Sequence, residues 1–138
     1  MALVVGFSLV ALLGIFHHFA LMGLRKITAD AKGHPNRAII TVFIGLLVIH
    51  LAEILLFAAA YRMLLDWTWL GQLHKMDTSW TGLVYFSGIN FTTLGYTQIE
   101  AAGPIRLINM MQSLGGFMIL TWSATFSYSI WTKAQEGL

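Results

Sequence analysis

The sequence of 138 residues has no cysteine, so disulfides and thiolate metal sites are excluded. Charged residues are scarce as well, at 10%, against 57% hydrophobic residues. That balance excludes an ordinary soluble domain and fits an integral membrane protein. The net charge of +2 is too small to suggest nucleic acid, and no basic patch interleaved with aromatics appears. No helix carries the ladder of arginines that voltage sensing needs. No nucleophile–base pair or carboxylate pair is evident, so an enzyme is not expected. The start, Met1-Ala2-Leu3-Val4, lacks the positive region of a signal peptide, and the first apolar run reads as a retained helix. No linker, repeat, low-complexity segment or soluble regulatory domain is expected.

Long apolar runs fill the rest. Residues 3–24 would rise about 33 Å as a helix, enough to cross the hydrocarbon. The run ends at Arg25-Lys26, and a short basic loop with Lys32, His34 and one acid, Asp30, leads to Arg37. Gly33 and Pro35 are expected to break the helix there. Residues 38–65 would rise about 42 Å, so this helix should tilt or protrude. Tyr61, Trp67 and Trp69 fit an interfacial aromatic belt, and Arg62 and Asp66, four apart, an ion pair. Asp77, Thr78 and Ser79 offer N-caps for a helix through about Phe91. That helix rises only about 18 Å, half a bilayer, and reads as re-entrant. Gly103-Pro104 starts a last helix reaching about residue 132.

The expected fold is therefore an all-α integral membrane protein with three transmembrane helices and a re-entrant helix. Arg25, Lys26, Lys32 and Arg37 put the first loop in the cytoplasm, the amino terminus outside and the carboxyl terminus inside. The short helix then enters from the outside. Length and charge balance fit a bacterial inner (plasma) membrane.

Between the short helix and the last one lies Thr92-Thr93-Leu94-Gly95-Tyr96-Thr97. Irregular backbone at membrane depth is tolerated only where it is buried in protein or lines a water-filled path. Thr93-Leu94-Gly95-Tyr96 matches four positions of the Thr-Val-Gly-Tyr-Gly filter of potassium channels, allowing Leu for Val. The chain thus resembles the pore module of the potassium channel superfamily over roughly residues 80–129. The resemblance divides it into an extra helix and basic loop, 1–37, and a pore domain, 38–138. The pore domain holds an outer helix 38–65, pore helix and filter 78–98, and an inner helix 104–132. It implies a homotetramer whose carbonyls at Thr93, Leu94, Gly95, Tyr96 and Thr97 replace the water around a cation. Tyr85 and Phe86, with Thr92 and Gln98, would brace the filter. Gly115 and Gly116 would form the gating hinge, and Leu120, Ala124 and Tyr128 would line the cavity. The function implied is a passive cation channel in contact with membrane lipid. Potassium is the expected permeant ion, and no resident cofactor is expected.

The sequence departs from that family pattern. Thr97 stands where the family has a glycine in the left-handed region, which a β-branched residue disfavours. Gln98 replaces the usual acid, and Phe86 has no group to hydrogen-bond the Tyr96 hydroxyl. Glu100 offers a partial replacement for the lost charge at the mouth. The alternatives left open are a channel passing sodium and potassium without selectivity, and a non-conducting subunit that keeps the pore fold.

His17, His18, His50 and Glu53 fall inside the apolar runs, where ionisable groups are costly. His50 and Glu53 share a helix face. They read as neutral groups tying helices together, as a proton sensor, or as metal ligands with His17 or His18 as a third. In untilted helices the two histidine levels differ by about 8 Å, which counts against a metal or haem.

Overall fold

A computed structural model describes residues 1–75, 77–95 and 99–136. Helix α1 spans Ala2–Ile27 and α2 spans Pro35–Leu64. A single 3-10 turn, Thr68–Leu70, leads to strand β1, Gln72–His74. Helix α3 spans Trp80–Phe91, β2 spans Glu100–Ala102 and α4 spans Ile105–Gln135. The fold is mostly helical, and α1 and α2 are long and apolar enough to cross a membrane. Helix α4 is as long but carries more hydroxyl side chains and does not reach the same apolarity.

The helix breaks at Gly33 and Pro35 as expected, between the end of α1 at Ile27 and the start of α2. Pro35 is the first residue of α2, where its missing N–H is needed by no partner. The connection from α1 is correspondingly shorter than expected, and Gly33 N–H closes it by donating to the Asp30 carboxylate. The expected Arg62–Asp66 pair does not form: α2 ends at Leu64, so Asp66 leaves the helix and the four-residue spacing no longer aligns the two.

The all-α expectation needs one correction. β1 and β2 form an antiparallel two-stranded sheet, Leu73 opposite Ala101. Gly71, at φ 100°, lies so close to Ala102 that a Cβ would strike its carbonyl oxygen. Only glycine fits such a position, and it lets the two strands meet.

Helix α4 is the hub, packing on α1, α2 and α3. The main core joins Phe57, Tyr61, Leu83, Phe86, Phe91 and Ile108. A second cluster at the far end joins Ala31, Ala38, Val42, Ile130 and Ala134. There Lys32 pairs with Glu136 at 2.6 Å, and the Lys133 ammonium donates to the Ala29 carbonyl at 3.0 Å. These contacts tie the α1–α2 connection to the end of α4.

Candidate functional site

Helix α3 starts where the polar segment before it supplies a cap. The Ser79 hydroxyl accepts from Gly82 N–H, and the Asp77 carboxylate accepts from Ser79 N–H. At twelve residues α3 rises about 18 Å, half the thickness a spanning helix must cover. It ends in a tight left-handed closure. Thr93 N–H donates to Asn90 O and Leu94 N–H to Ile89 O, both at 3.1 Å. This is the Schellman pattern, in which the residue after the cap is normally glycine. Here it is Thr93, at φ 56°. Gly95 follows at φ 65°, while Leu94 between them keeps a negative φ. Alternation of sign turns successive peptide planes over, so neighbouring carbonyls need not point to opposite sides as they do in a strand. Thr92, Thr93, Leu94 and Gly95 are all exposed, Leu94 at 68%. Tyr96, Thr97 and Gln98 lie outside the described residues.

The bracing residues divide. Tyr85 is exposed, whereas Phe86 is buried edge-on against Tyr61 of α2 at 5.1 Å. Behind them runs a polar network that the sequence reading missed. The Tyr61 hydroxyl donates to Gln112 Oε1 at 2.8 Å. Gln112 Nε2 donates to Ser87 O at 3.1 Å and to Ser87 Oγ at 2.9 Å. Ser87 Oγ–H donates to Ile54 O at 2.7 Å. Three helices are thereby tied, with Tyr61, Ser87 and Gln112 fully buried. The available signal was Gln112 itself, a polar residue on the helix face shared by Ile105, Ile108, Ile119 and Ser123.

Helix α4 runs unbroken through Gly115 and Gly116. Both sit at close helix contacts: a Cβ on Gly116 would strike the Phe91 carbonyl, and one on Gly115 would meet the Val10 side chain. Leu120 is half-buried against the main core. Ala124 and Tyr128 are exposed beside α2, along a groove shared with Ile39 and Val42. A continuous exposed face follows alternating steps of three and four: Leu107, Met110, Leu114, Phe117, Thr121, Ala124, Tyr128 and Trp131. That spacing is the seam helices use to pack on one another.

At the sheet end, Lys75 beside Glu100 holds the Glu100 carboxyl below the usual carboxylate range, by a charge-assisted hydrogen bond first and Coulomb attraction second.

A second cluster lies deeper. Glu53 and His17 are fully buried. Their contact, Nδ1 to Oε1, is 2.7 Å, and His50 Nδ1 meets the other oxygen, Oε2, at 2.8 Å. The hydroxyl of Ser123 in α4 lies 3.3 Å from His17 Nε2. The expected offset of the histidine levels is absent: the rings stack with centroids 5.8 Å apart. Helix α1 packs more on α4 than on α2. His18 is not part of the cluster; it is exposed against Phe19 and Trp122. His50 also packs on Phe91 at 5.7 Å, so the cluster adjoins the end of α3.

A half-length helix, a polar return beside it and a glycine-bearing helix packed on its end define an ion-channel pore unit. Residues 49–132 match the ion channel family, and the chain belongs to it, with a pore module of the potassium channel superfamily. The match begins within α2 and ends within α4, so α1 lies outside it. Comparison with curated proteins and with solved structures gives no match.

Proposed function

We propose that four copies of this chain form a passive cation channel in a bacterial inner membrane, with potassium as the permeant ion. One observation carries the reading. Helix α3 stops after half a bilayer and is followed by Thr93-Leu94-Gly95 with alternating sign of φ. Carbonyls of Thr93, Leu94, Gly95, Tyr96 and Thr97 would replace the hydration shell, and a closed ring needs several strands. The partial negative charge at the end of α3 favours a cation below that ring.

Helix α4 serves as the third crossing, its rise of about 46 Å being ample. Its lower apolarity has a reason in this arrangement. Thr121, Thr125 and Thr132 lie along the exposed face, each hydroxyl donating to the carbonyl four residues back. A hydroxyl-bearing face suits a wet cavity better than lipid. The seam from Leu107 to Trp131 would meet neighbouring copies and the pore axis, with α1 and α2 toward lipid. Arg25, Lys26, Lys32 and Arg37 favour the cytoplasmic side for the connection between α1 and α2.

A second reading, a pore passing sodium and potassium alike, is favoured by the Phe86 ring, which packs on Tyr61, and by Thr97. Reversal potential in reconstituted bilayers with asymmetric potassium and sodium tests both. Reversal near the potassium equilibrium value supports selectivity, and reversal near zero with current supports the second reading. Absence of current in tetrameric protein at every pH tried overturns conduction. Thr97→Gly should raise potassium preference if Thr97 distorts the outer filter.

A further inference from the structure

Three ionisable groups inside the two apolar helices have no part in a carbonyl filter. His17 of α1, His50 and Glu53 of α2 each present one ligand atom, and these atoms lie within 4.8 Å of one another. We propose that they form a binding site for a divalent transition cation of the zinc class, holding α1 against α2 beside the end of α3.

The donor chemistry fits. Two imidazole nitrogens and a carboxylate are a ligand set that zinc accepts, with a fourth position left for water. Both Glu53 oxygens and both Nδ1 atoms already converge, at 2.7 and 2.8 Å. An ion entering between them replaces the two Nδ1–H hydrogens. Each imidazole then carries its one proton on Nε2, so no proton need leave the site. For His17 that proton faces Ser123 Oγ, 3.3 Å away, a hydroxyl able to accept it and fix the ring. Glu53 has no arginine or lysine beside it; among the described residues its ion-pair partners are the two histidines alone. A dication supplies the positive charge that a buried carboxylate otherwise lacks. His50 keeps 18% of its side chain at the surface of the chain.

The placement decides what the ion would do. His50 packs on Phe91, whose carbonyl faces Gly116. A bound cation would clamp α1, outside the matched pore module, to the helix that carries the end of α3. It would do so without touching the permeation path.

The test uses the purified full-length tetramer, stripped with chelator and titrated with Zn²⁺ by calorimetry, then with Co²⁺ to read its visible ligand-field bands. Saturable uptake of one ion per chain, with a tetrahedral Co²⁺ spectrum, is expected. Glu53→Gln and His50→Gln should each weaken binding at least about 100-fold, and Ser123→Ala about 10-fold. His18→Gln and His74→Gln, which leave the ligand set intact, should bind as the parent does. If Glu53→Gln fails to assemble, His50→Gln, whose ring is partly at the surface, carries the test. No uptake by the stripped tetramer, or unchanged affinity in an assembled His50→Gln or Glu53→Gln tetramer, overturns the site. None of these readouts depends on ion conduction.

Discussion

Gly116 of α4 lies against the backbone of Phe91, the last residue of α3, in a space where a Cβ would strike the Phe91 carbonyl oxygen. Backbone cannot rotate out of the way, so Gly116→Ala must push α4 from the end of α3. The expected cost is about 1–3 kcal/mol, typical of overpacking. Gly115→Ala meets the Val10 side chain first rather than backbone, and should cost less. Thermal unfolding of the detergent-solubilised protein checks the order. Equal losses for the two would point to helix flexibility, not close approach, as the reason for the pair.

Gln112 predicts a second, coupled loss. Gln112→Met keeps the volume but removes the acceptor of the Tyr61 hydroxyl and the donor to Ser87 O and Oγ, while Ser87 Oγ–H keeps its bond to Ile54 O. Each orphaned buried group costs about 1–3 kcal/mol. In a Tyr61→Phe background one of those groups is already gone, so Gln112→Met should cost less there. Strictly additive losses would show that the network has no energetic reality.

Much of this architecture was readable from residue order. The apolar runs gave α1 and α2, and Ser79 with the brief run after it gave α3, because caps and apolar length act locally. The strand pairing of Leu73 with Ala101 was not readable, since it joins short segments far apart through backbone groups that any sequence carries. His17 and His50 are legible as costly groups, yet their meeting depends on how α1 packs among the other helices, which spacing along one helix cannot reveal. Arg62 and Asp66 failed for a smaller reason: α2 stops two residues before Asp66.

Thr93 is a β-branched residue in a left-handed conformation, which costs about 1–2 kcal/mol relative to glycine. Thr93→Gly should therefore raise the unfolding temperature of the protein while removing the side chain beside a carbonyl proposed to bind the cation. Higher stability with lower potassium preference is the expected combination. Lower stability would mean that Thr93 contributes contacts outweighing its strain.

If the sheet end borders the proposed pore, the Lys75–Glu100 pair makes conductance there sensitive to acid. Glu100 has a lowered folded pKa, so its pairing is intact above the ordinary carboxylate range and is lost as pH falls through the folded value. Protonation leaves the Lys75 ammonium unbalanced near the mouth, and cation conductance should fall there. Lys75→Ala should do the opposite near neutral pH, freeing the Glu100 charge and raising single-channel conductance. Both effects should fade at high ionic strength, because the groups are exposed and screened. Conductance indifferent to Lys75→Ala at low salt would place the pair away from the ion path.

The absence of cysteine makes the exposed face of α4 directly testable. A single cysteine reacts with a charged thiol reagent only where water ionises it, since the thiolate is the nucleophile. Thr121→Cys and Ala124→Cys lie on the exposed seam proposed to face a wet cavity. Each should be modified by a water-soluble cationic reagent, with loss of current. Phe43→Cys, on the outward side of α2 where Phe43 is 70% exposed, should resist because lipid keeps its thiol protonated. Protection of Thr121→Cys together with rapid modification of Phe43→Cys would reverse the assignment of the two faces and require α2, not α4, to line the pore.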